Sequence, residues 1–439
     1  MKRYAFEKLK IWKESKNRKP LVIRGARQVG KTWLMKAFAK EFYKNLAYVS
    51  FVDTPDAKNI FEGNYNLDDI LLGLSVLTKV QIKPNDTLII LDEIQECERA
   101  LNALKFFKEN APDYHVIAAG SLLGVAVRKK QFSFPVGQVD FLNLYPLSFC
   151  EFLDALGENQ LSELIYNSNW DVLKNFQDKC TNLLKQYMFV GGMPEAVKSF
   201  TANKDMAEVR RIQNAILTGY TEDFSKYTES SNVAKITAVW NSLPTQLAKE
   251  NQKFTYKDVQ KGARAREYEA AVDWLDLTGL VYKIKKITKP DLPISGYEDN
   301  SSFKLYMLDT GLLCAKAMLD AKVIIEGDKI FEEFKGALTE QYVLQELKTN
   351  DNLPINYWGT DVGQAEIDFI IQKANLVIPV EVKASINLKA KSLASYRQKY
   401  QPQISIRTSL AGFEVNNGLY NIPLYMIENV LNNSKLSEM

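Results

Sequence analysis

Eight consecutive residues, Gly25-Ala26-Arg27-Gln28-Val29-Gly30-Lys31-Thr32, carry the spacing G-x-x-x-x-G-K-[ST]. That pattern suits the binding of phosphate groups. Its glycines let backbone N–H groups turn inward around phosphate oxygens, and a helix beginning at once adds partial positive charge. Lys31 would reach the β- and γ-phosphates of a nucleotide, and the Thr32 hydroxyl would ligate Mg²⁺. Gly25, Arg27, Gln28, Val29, Gly30, Lys31, Thr32 and Trp33 are therefore the expected nucleotide-binding set, with ATP and Mg²⁺ as the ligands.

Binding becomes hydrolysis only with acids nearby. The run Thr87-Leu88-Ile89-Ile90-Leu91 ends in Asp92-Glu93. Asp92 would hold the water shell of the Mg²⁺ ion. Glu93 would orient or deprotonate the attacking water, which is general-base work. The bland alternative for the pair is a solvated strand end. Ser121 closes the next apolar run. It is placed to touch the γ-phosphate or the attacking water, although Gly-Ser is also a common turn pair.

A third group lies near the C-terminus. In Glu366-Ile367-Asp368-Phe369-Ile370-Ile371 the acids alternate with apolar residues. In Val377-Ile378-Pro379-Val380-Glu381-Val382-Lys383, Glu381 and Lys383 share one face of a strand. An acid, a linking turn and then Glu-x-Lys is the pattern of PD-(D/E)xK nucleases. Asp368 and Glu381 would hold a metal ion, with Glu340 from an upstream helix as a further ligand. Lys383 would orient the nucleophilic water or stabilise developing negative charge. The competing reading is a nuclease-like fold that cleaves nothing, its acids and lysine forming a structural ion-pair cluster.

These residues need elements to position them. Leu21-Val22-Ile23 reads as a buried strand before the glycine loop, and Trp33 to Phe42 as a helix after it. Leu46–Val52, Thr87–Glu93 and Tyr114–Ala119 read as further strands, with helices at Leu67–Leu77 and Ala100–Glu109 between them. Near-continuous apolar strands alternating with helices predict a parallel sheet covered on both faces. In such sheets the chemistry lies at the carboxyl ends of the strands, where the loop, Asp92-Glu93 and Ser121 all fall. A basic amphipathic helix is expected in residues 1–19. Helices over Leu144–Leu156, over Trp170–Met188 and from Glu195 predict a lid completing a first domain at residues 1–204.

Residues 205–310 read as a winged helix. Its helices are Val233–Lys249, Thr255–Lys261 and Arg264–Leu277, and its wing is a hairpin of Leu280–Thr288 with Phe303–Leu308, joined by a loop at Ile294–Ser302. Lys257, Lys261, Arg264 and Arg266, with Lys283, Lys285, Lys286 and Lys289 on the wing, would bind DNA or form only a solvated face. Residues 311–439 make up the nuclease-like α/β domain.

Composition excludes several classes. A net charge of +3 over 439 residues argues by itself for neither a nucleic-acid nor a membrane partner. The four cysteines, Cys97, Cys150, Cys180 and Cys314, form no C-x-x-C pair, which speaks against zinc and fits a reducing compartment. His115, the single histidine, leaves no room for a Ser-His-Asp triad or a histidine metal site. No apolar leader or membrane-length apolar run is present, so a cytoplasmic location is expected.

Several segments together carry a family resemblance. They are Arg27-Gln28-Val29-Gly30-Lys31-Thr32, Leu91-Asp92-Glu93-Ile94-Gln95, Ala119-Gly120-Ser121, Tyr145-Pro146-Leu147-Ser148-Phe149, Gly191-Gly192-Met193-Pro194-Glu195 and Leu308-Asp309-Thr310-Gly311-Leu312-Leu313. In these the chain resembles a prokaryotic family of AAA-type ATPases bearing a C-terminal domain of unknown function. The resemblance runs over nearly the whole length. It implies an AAA+ fold, ATP binding and hydrolysis, and supports the nuclease-like fold of the last domain, without naming a substrate. One departure stands out. Similar sequences often have Gly-Arg before the Pro-Leu-Ser segment, where this chain has Gly137-Gln138. If that arginine serves as a finger on phosphate, Arg128 or Arg99 would have to replace it, in cis or from a neighbouring subunit. Two functions remain open: an ATP-driven enzyme acting on or gated by DNA or RNA, and a nucleotide-controlled switch that binds a protein partner and cleaves nothing. Oligomerisation is compatible with both.

Overall fold

A computed structural model describes residues 1–121, 137–228, 230–249, 251–327, 332–350, 353–360, 365–386 and 390–429. The chain divides into two units. One comprises Arg3–Tyr145 with Leu277–Gly279, the other Met1–Lys2, Pro146–Asp276 and Leu280–Met439.

In the first unit the apolar runs become strands β1 (Leu21–Arg24), β2 (Asn45–Ser50), β3 (Thr87–Asp92), β4 (His115–Gly120) and β5 (Asp140–Asn143). They form one parallel sheet in the order β2-β3-β4-β1-β5. Every residue of β3 and β4 is buried, as strands covered on both faces must be. On one face Ile89 and Leu91 pack in a core with Phe51, Phe61, Ile70, Leu74, Leu101 and Phe107. Helices α3 (Leu67–Thr78) and α4 (Glu98–Asn110) contribute to that core. Helix α2 (Lys31–Phe42) buries Leu34, Met35 and Phe38, and α1 (Ala5–Glu14) packs on it through Phe6, 5.7 Å from the Phe38 ring and 6.2 Å from Phe42. Because all five strands are parallel, their carboxyl ends share one edge, and the glycine loop emerges between β4 and β5.

The second unit contains an eight-stranded mixed sheet. Its strands are β6 (Val281–Ile287), β7 (Glu298–Met307), β8 (Ile355–Gly359), β9 (Glu366–Lys373), β10 (Leu376–Val382), β11 (Ser405–Ser409), β12 (Glu414–Asn416) and β13 (Leu419–Pro423), in the order β12-β13-β11-β10-β9-β8-β6-β7. The hairpin expected as a wing is present, but it does not stand alone: β6 runs parallel to β8, pairing Lys286 with Tyr357 and Ile287 with Trp358. One hydrogen-bonded sheet therefore crosses the boundary expected at residue 310. The loop expected at Ile294–Ser302 is a short 3-10 turn, Ile294–Tyr297, followed at once by β7, because Lys286 and Ile287 pair with Asp299 and Glu298 beyond a bulge. The three helices before the hairpin, Met206–Tyr227, Ser230–Leu247 and Ala265–Leu277, meet around Trp240 and Phe224. The Trp240 ring lies 6.3 Å from Tyr220 and 6.1 Å from Phe224, which is 5.4 Å from Trp274.

The helices expected as a lid also belong to the second unit. The first runs over Phe149–Ala155 rather than from Leu144, since Ser148 and Glu151 form a capping box that starts it. The second is interrupted, with a turn at Trp170–Leu173 and a helix proper at Gln177–Val190. Buried carboxylates hold them: Glu346 accepts from the Phe149 amide at 3.1 and 3.2 Å and from the Tyr187 hydroxyl at 3.2 Å, and Glu428 accepts from the Cys150 amide at 3.3 Å.

Three of the resemblance segments meet at Asp309, which is fully buried. Its carboxylate accepts from the Gly192 amide at 2.6 Å and the Leu312 amide at 2.9 Å, while the Leu147 amide donates to Gly192 O at 2.7 Å. A Cβ at Gly191 would sit 2.2 Å from Asp309 Oδ1, so only glycine fits there. This knot is structural: it joins the Pro-Leu-Ser, Gly-Gly-Met-Pro and Asp-Thr-Gly segments. Among the described residues, no helix is long and apolar enough to cross a membrane. All four cysteines are buried and free of disulfides.

Candidate nucleotide site and buried acidic cluster

The loop between β1 and α2 owes its shape to positive-φ residues. Gly25 has φ 149°, Gln28 65° and Gly30 95°. A Cβ on Gly25 would fall 2.2 Å from Leu144 O, so the close approach of the chain there requires glycine. Gly30 occupies the N-cap of α2, and no side chain caps the first turn. Its N–H groups are thus left for an anion. Lys31 is buried and folds back to donate to Gly25 O and Ala26 O, both at 2.8 Å. Burial pushes its pKa down to about 8, against the opposing pull of Glu93 and Asp92.

Asp92 lies at the end of β3, one strand beyond β4 from the loop. Its Oδ2 accepts from Thr32 Oγ1 at 2.6 Å and from the Tyr48 hydroxyl at 3.1 Å. Oδ1 accepts from the Glu93 amide at 3.0 Å. Glu93 adopts a left-handed conformation, φ 51°, which turns the chain out of the strand, and its Oε2 accepts from Gln95 Nε2 at 2.6 Å. Ser121 is buried directly after β4. The structure thus joins Thr32 to Asp92 directly, and brings Lys31 within electrostatic reach of Asp92 and Glu93. Trp33 is half exposed on α2. Sequence reasoning passed over Tyr48. Its alternation in β2 marks only a residue facing out of the sheet core, while burial and the neighbouring Asp92 hold its hydroxyl pKa well above the ordinary range.

Of the two arginines considered as fingers, Arg99 is engaged within its own unit. It donates from Nε to Phe61 O at 2.8 Å and from Nη2 to Gly63 O, and it lies 3.5 Å from Glu62. Arg128 lies outside the described residues. Gln138 is partly buried, with Oε1 unpartnered.

In the second unit, β7, β9, β10 and the helix Glu332–Lys348 bring together Glu340, Glu366, Asp368 and Glu381. Burial raises the pKa of Glu340 to about 8, with Asp368 adding to it, and raises Glu381 to about 7 for the same two reasons. Asp368 is also pushed up by burial, although Lys304 opposes this, and it accepts from the Val382 amide at 2.7 Å. Lys383 binds Glu381 Oε1 at 2.7 Å, whereas the buried Oε2 has no partner.

The residue that organises the cluster is Lys304, only 1% exposed. Its ammonium lies 2.6 Å from Glu366 Oε1 and 3.6 Å from Glu340 Oε2. Burial alone would lower its pKa, but Glu340, Glu366 and Asp368 outweigh burial and hold it above the ordinary lysine range. Glu340 is further occupied by Gln252 Nε2 at 2.8 Å and the Tyr306 hydroxyl at 2.9 Å. Asp368, Glu381 and Glu340 were expected as one metal-binding set. Among the described residues, no group of three His, Cys, Asp or Glu is disposed to hold a metal ion. Lys304 sets a positive charge beside Glu340, Glu366 and Asp368, while Glu381 pairs with Lys383. Lys304, Tyr306 and Gln252 escaped the sequence reading. The one available signal was a lysine between Phe303 and Leu305 in the apolar second half of β7.

Comparison with known proteins places these features. Residues 17–153 match the family model described as an AAA domain. Residues 181–323 match a domain of unknown function (DUF8612), and residues 335–427 another domain of unknown function (DUF4143). No curated protein matches the sequence significantly. Among solved structures, the chain is similar to a Walker-type ATPase of Pyrococcus abyssi, at 13% identity over 71% of this chain and 94% of that one, with a TM-score of 0.43. It is also similar to the ORC2 protein of Aeropyrum pernix in its ADPNP–ADP complexes, at 16% identity over 77% and 94%, TM-score 0.35. A third is the ORC1 protein of Aeropyrum pernix in complex with DNA, at 11% identity over 73% and 93%, TM-score 0.29. By the family-model match, the multidomain α/β chain carries an AAA-type P-loop domain, and the glycine loop lies within the matched residues.

Proposed function

We propose that the protein is a Mg²⁺-dependent ATP hydrolase of the AAA type, acting on or gated by nucleic acid. The observation that carries this reading is the hydrogen bond from Thr32 to Asp92 beside an uncapped helix N-terminus. Two hard oxygen groups there stand ready for a divalent cation next to a nest of backbone donors. The fit to Mg²⁺ is good on that donor set, with Thr32 as ligand and Asp92 holding its waters. The chemistry a bound Mg²⁺ supplies is neutralisation of charge on the β- and γ-phosphate oxygens. On ATP binding, Lys31 exchanges its two carbonyl partners for phosphate oxygens, at little cost because its charge is already buried. Glu93, anchored by Gln95, takes up the proton of the attacking water or aligns that water. Ser121 at the end of β4 faces the same edge and hydrogen bonds the γ-phosphate or the water.

Support for nucleic acid comes from the surface. Lys257, Lys261, Arg264 and Arg266 are all exposed in a ten-residue stretch. The wing lysines offer less, since Lys283 pairs with Asp273 at 3.0 Å, Lys285 with Glu298 at 2.7 Å, and Lys289 with Asp291. Phosphate contacts therefore concentrate on the stretch from Lys257 to Arg266.

A second reading is favoured by Lys304. With an ammonium among the carboxylates, the nuclease-like domain serves as a non-cleaving part of a nucleotide-controlled switch whose partner is a protein. Cleavage by Asp368, Glu381 and Lys383 would require a divalent cation to displace Lys304. ATP turnover measured with and without duplex and single-stranded nucleic acid separates the readings. Stimulated turnover supports the first. Unstimulated turnover, with a co-purifying protein, supports the second.

A further inference from the structure

The second unit carries a half-open pocket of about 690 Å³, within the range of small-molecule sites. One wall is the helix Met206–Tyr227, through Met206, Arg210 and Asn214, and the other is the segment Met318–Glu326. Phe189 and Ala315, both buried, form its base.

Arg210 is the unusual group here. Its guanidinium lies over the Phe189 ring, 4.7 Å from the centroid. Nη2 donates to Leu319 O at 2.6 Å, while Nη1 is buried with no hydrogen-bond partner. Among the described residues no carboxylate forms an ion pair with it. Burial lowers its pKa, against a weaker opposing pull that includes Asp320. A buried donor without an acceptor is a standing penalty; Nη1 is closed to solvent, so an incoming acceptor removes that penalty only with a turn of the Arg210 side chain. The formal charges on the lining cancel, Arg210 and Lys322 against Asp320 and Glu326. Asp320, Lys322 and Glu326, however, are exposed, where solvent and salt screen them. Arg210 is the cation set inward, and its planar fork matches a carboxylate or phosphoryl group.

We propose that this cavity binds a small ligand with one anionic group on a flat apolar body, the anion meeting Arg210 and the body lying among Phe189, Met206, Ala315 and Ile325. Neither the ATP site nor the acidic cluster contributes a residue. Carboxylate and phosphoryl ligands share this chemistry, so two probes are used, benzoate and phenyl phosphate, with benzamide as the neutral shape control. The full chain carrying Lys31→Ala, which silences the phosphate loop, is titrated calorimetrically with each. The expected result is saturable millimolar binding of at least one anion, which is what so few ligand atoms support, and benzamide at least about tenfold weaker. Arg210→Met should bring the anion down to the benzamide level. Ala207→Phe, at the cavity wall one turn before Arg210, should remove binding of all three with far-ultraviolet circular dichroism unchanged. The proposal is overturned if neither anion saturates, if benzamide binds as well as the anions, or if binding survives either cavity variant.

Discussion

Replacing Lys304 with methionine tests the acidic cluster most directly. The substitution keeps the aliphatic volume and deletes a charge that is 1% exposed and lies 2.6 Å from Glu366 and 3.6 Å from Glu340. Breaking a buried ion pair from one side costs about 3–5 kcal/mol, because the abandoned charges remain desolvated. Lys383, engaged with Glu381, does not reach across to substitute. The cost depends on pH in a definite direction. Glu340 and Glu381 have folded pKa values raised to about 8 and about 7 from an ordinary 4.5. Between 4.5 and those values the folded state binds more protons than the unfolded state, so stability falls as pH rises through that window. Without Lys304 the folded pKa values rise further, and the penalty deepens at the alkaline end. Near pH 5 the carboxyls take up protons and the loss should shrink. Calorimetric unfolding of the full chain at pH 5.5 and pH 8 reads this out, since it resolves the transition of the second unit. The expected shift at pH 8 is on the order of 10 °C downward, and clearly smaller at pH 5.5. A variant that unfolds within about 1 kcal/mol of wild type at pH 8 would show that Lys304 does not hold the cluster.

The nucleotide site supplies three further expectations. Lys31→Ala should weaken ATP binding by about a hundredfold or more, since two charge-assisted phosphate contacts are lost; equal affinity in calorimetric titration would place the nucleotide elsewhere. Glu93→Gln should keep binding and lower turnover by roughly 10²–10⁴-fold, the usual worth of a general base, and a wild-type rate of phosphate release would remove Glu93 from that role. Tyr48→Phe deletes one of two hydrogen bonds to Asp92 Oδ2. It should weaken Mg²⁺-dependent binding by no more than about tenfold, and a collapse to the level of Asp92→Asn would mean that Tyr48 does more than position the acid.

The parts of the fold that were legible are those where burial on both faces leaves an uninterrupted apolar run, as in β1, β3 and β4. Strands that win their place by pairing alone were not. β5 has four residues and only Leu142 buried, and it exists because Asp140–Asn143 run in register beside Leu21–Arg24. Ser405–Ser409 reads as polar, yet Ser405, Thr408 and Ser409 are buried in β11, with Ser409 donating to Asn421 Oδ1 at 3.0 Å. The shape of the glycine loop was legible because it depends on spacing along the chain, and the approach of Asp92 to Thr32, 60 residues away, because parallel strands share one carboxyl edge. The acidic cluster was half legible. Glu381 and Lys383 are two apart at the end of β10, Lys383 just past it, but Lys304 arrives from a strand far away in sequence, and only the sheet order places it there. The hairpin expected as the wing was legible, but its place in a larger sheet was not, since nothing in β6 shows that its second edge will pair with β8.

The strand order of that sheet has a bearing on how the chain is made. From β6 outward, β8, β9, β10 and β11 follow one another across the sheet in the order of synthesis. Each new strand therefore finds its docking edge already built and becomes the docking edge for the next. The last addition is a preformed pair: β12 and β13 fold back on each other through Asn417 and Gly418, both with positive φ. β13 then closes onto β11 and β12 faces outward. Growth ends there by design of the edge itself, a strand of three exposed residues, Glu414-Val415-Asn416, too short and polar to recruit another. Such a sheet can assemble as it leaves the ribosome, with no strand waiting on a partner not yet translated except within that final hairpin. A chain cut anywhere after β8 would be left with an open, growing edge, and aggregation rather than loss of secondary structure would be its signature.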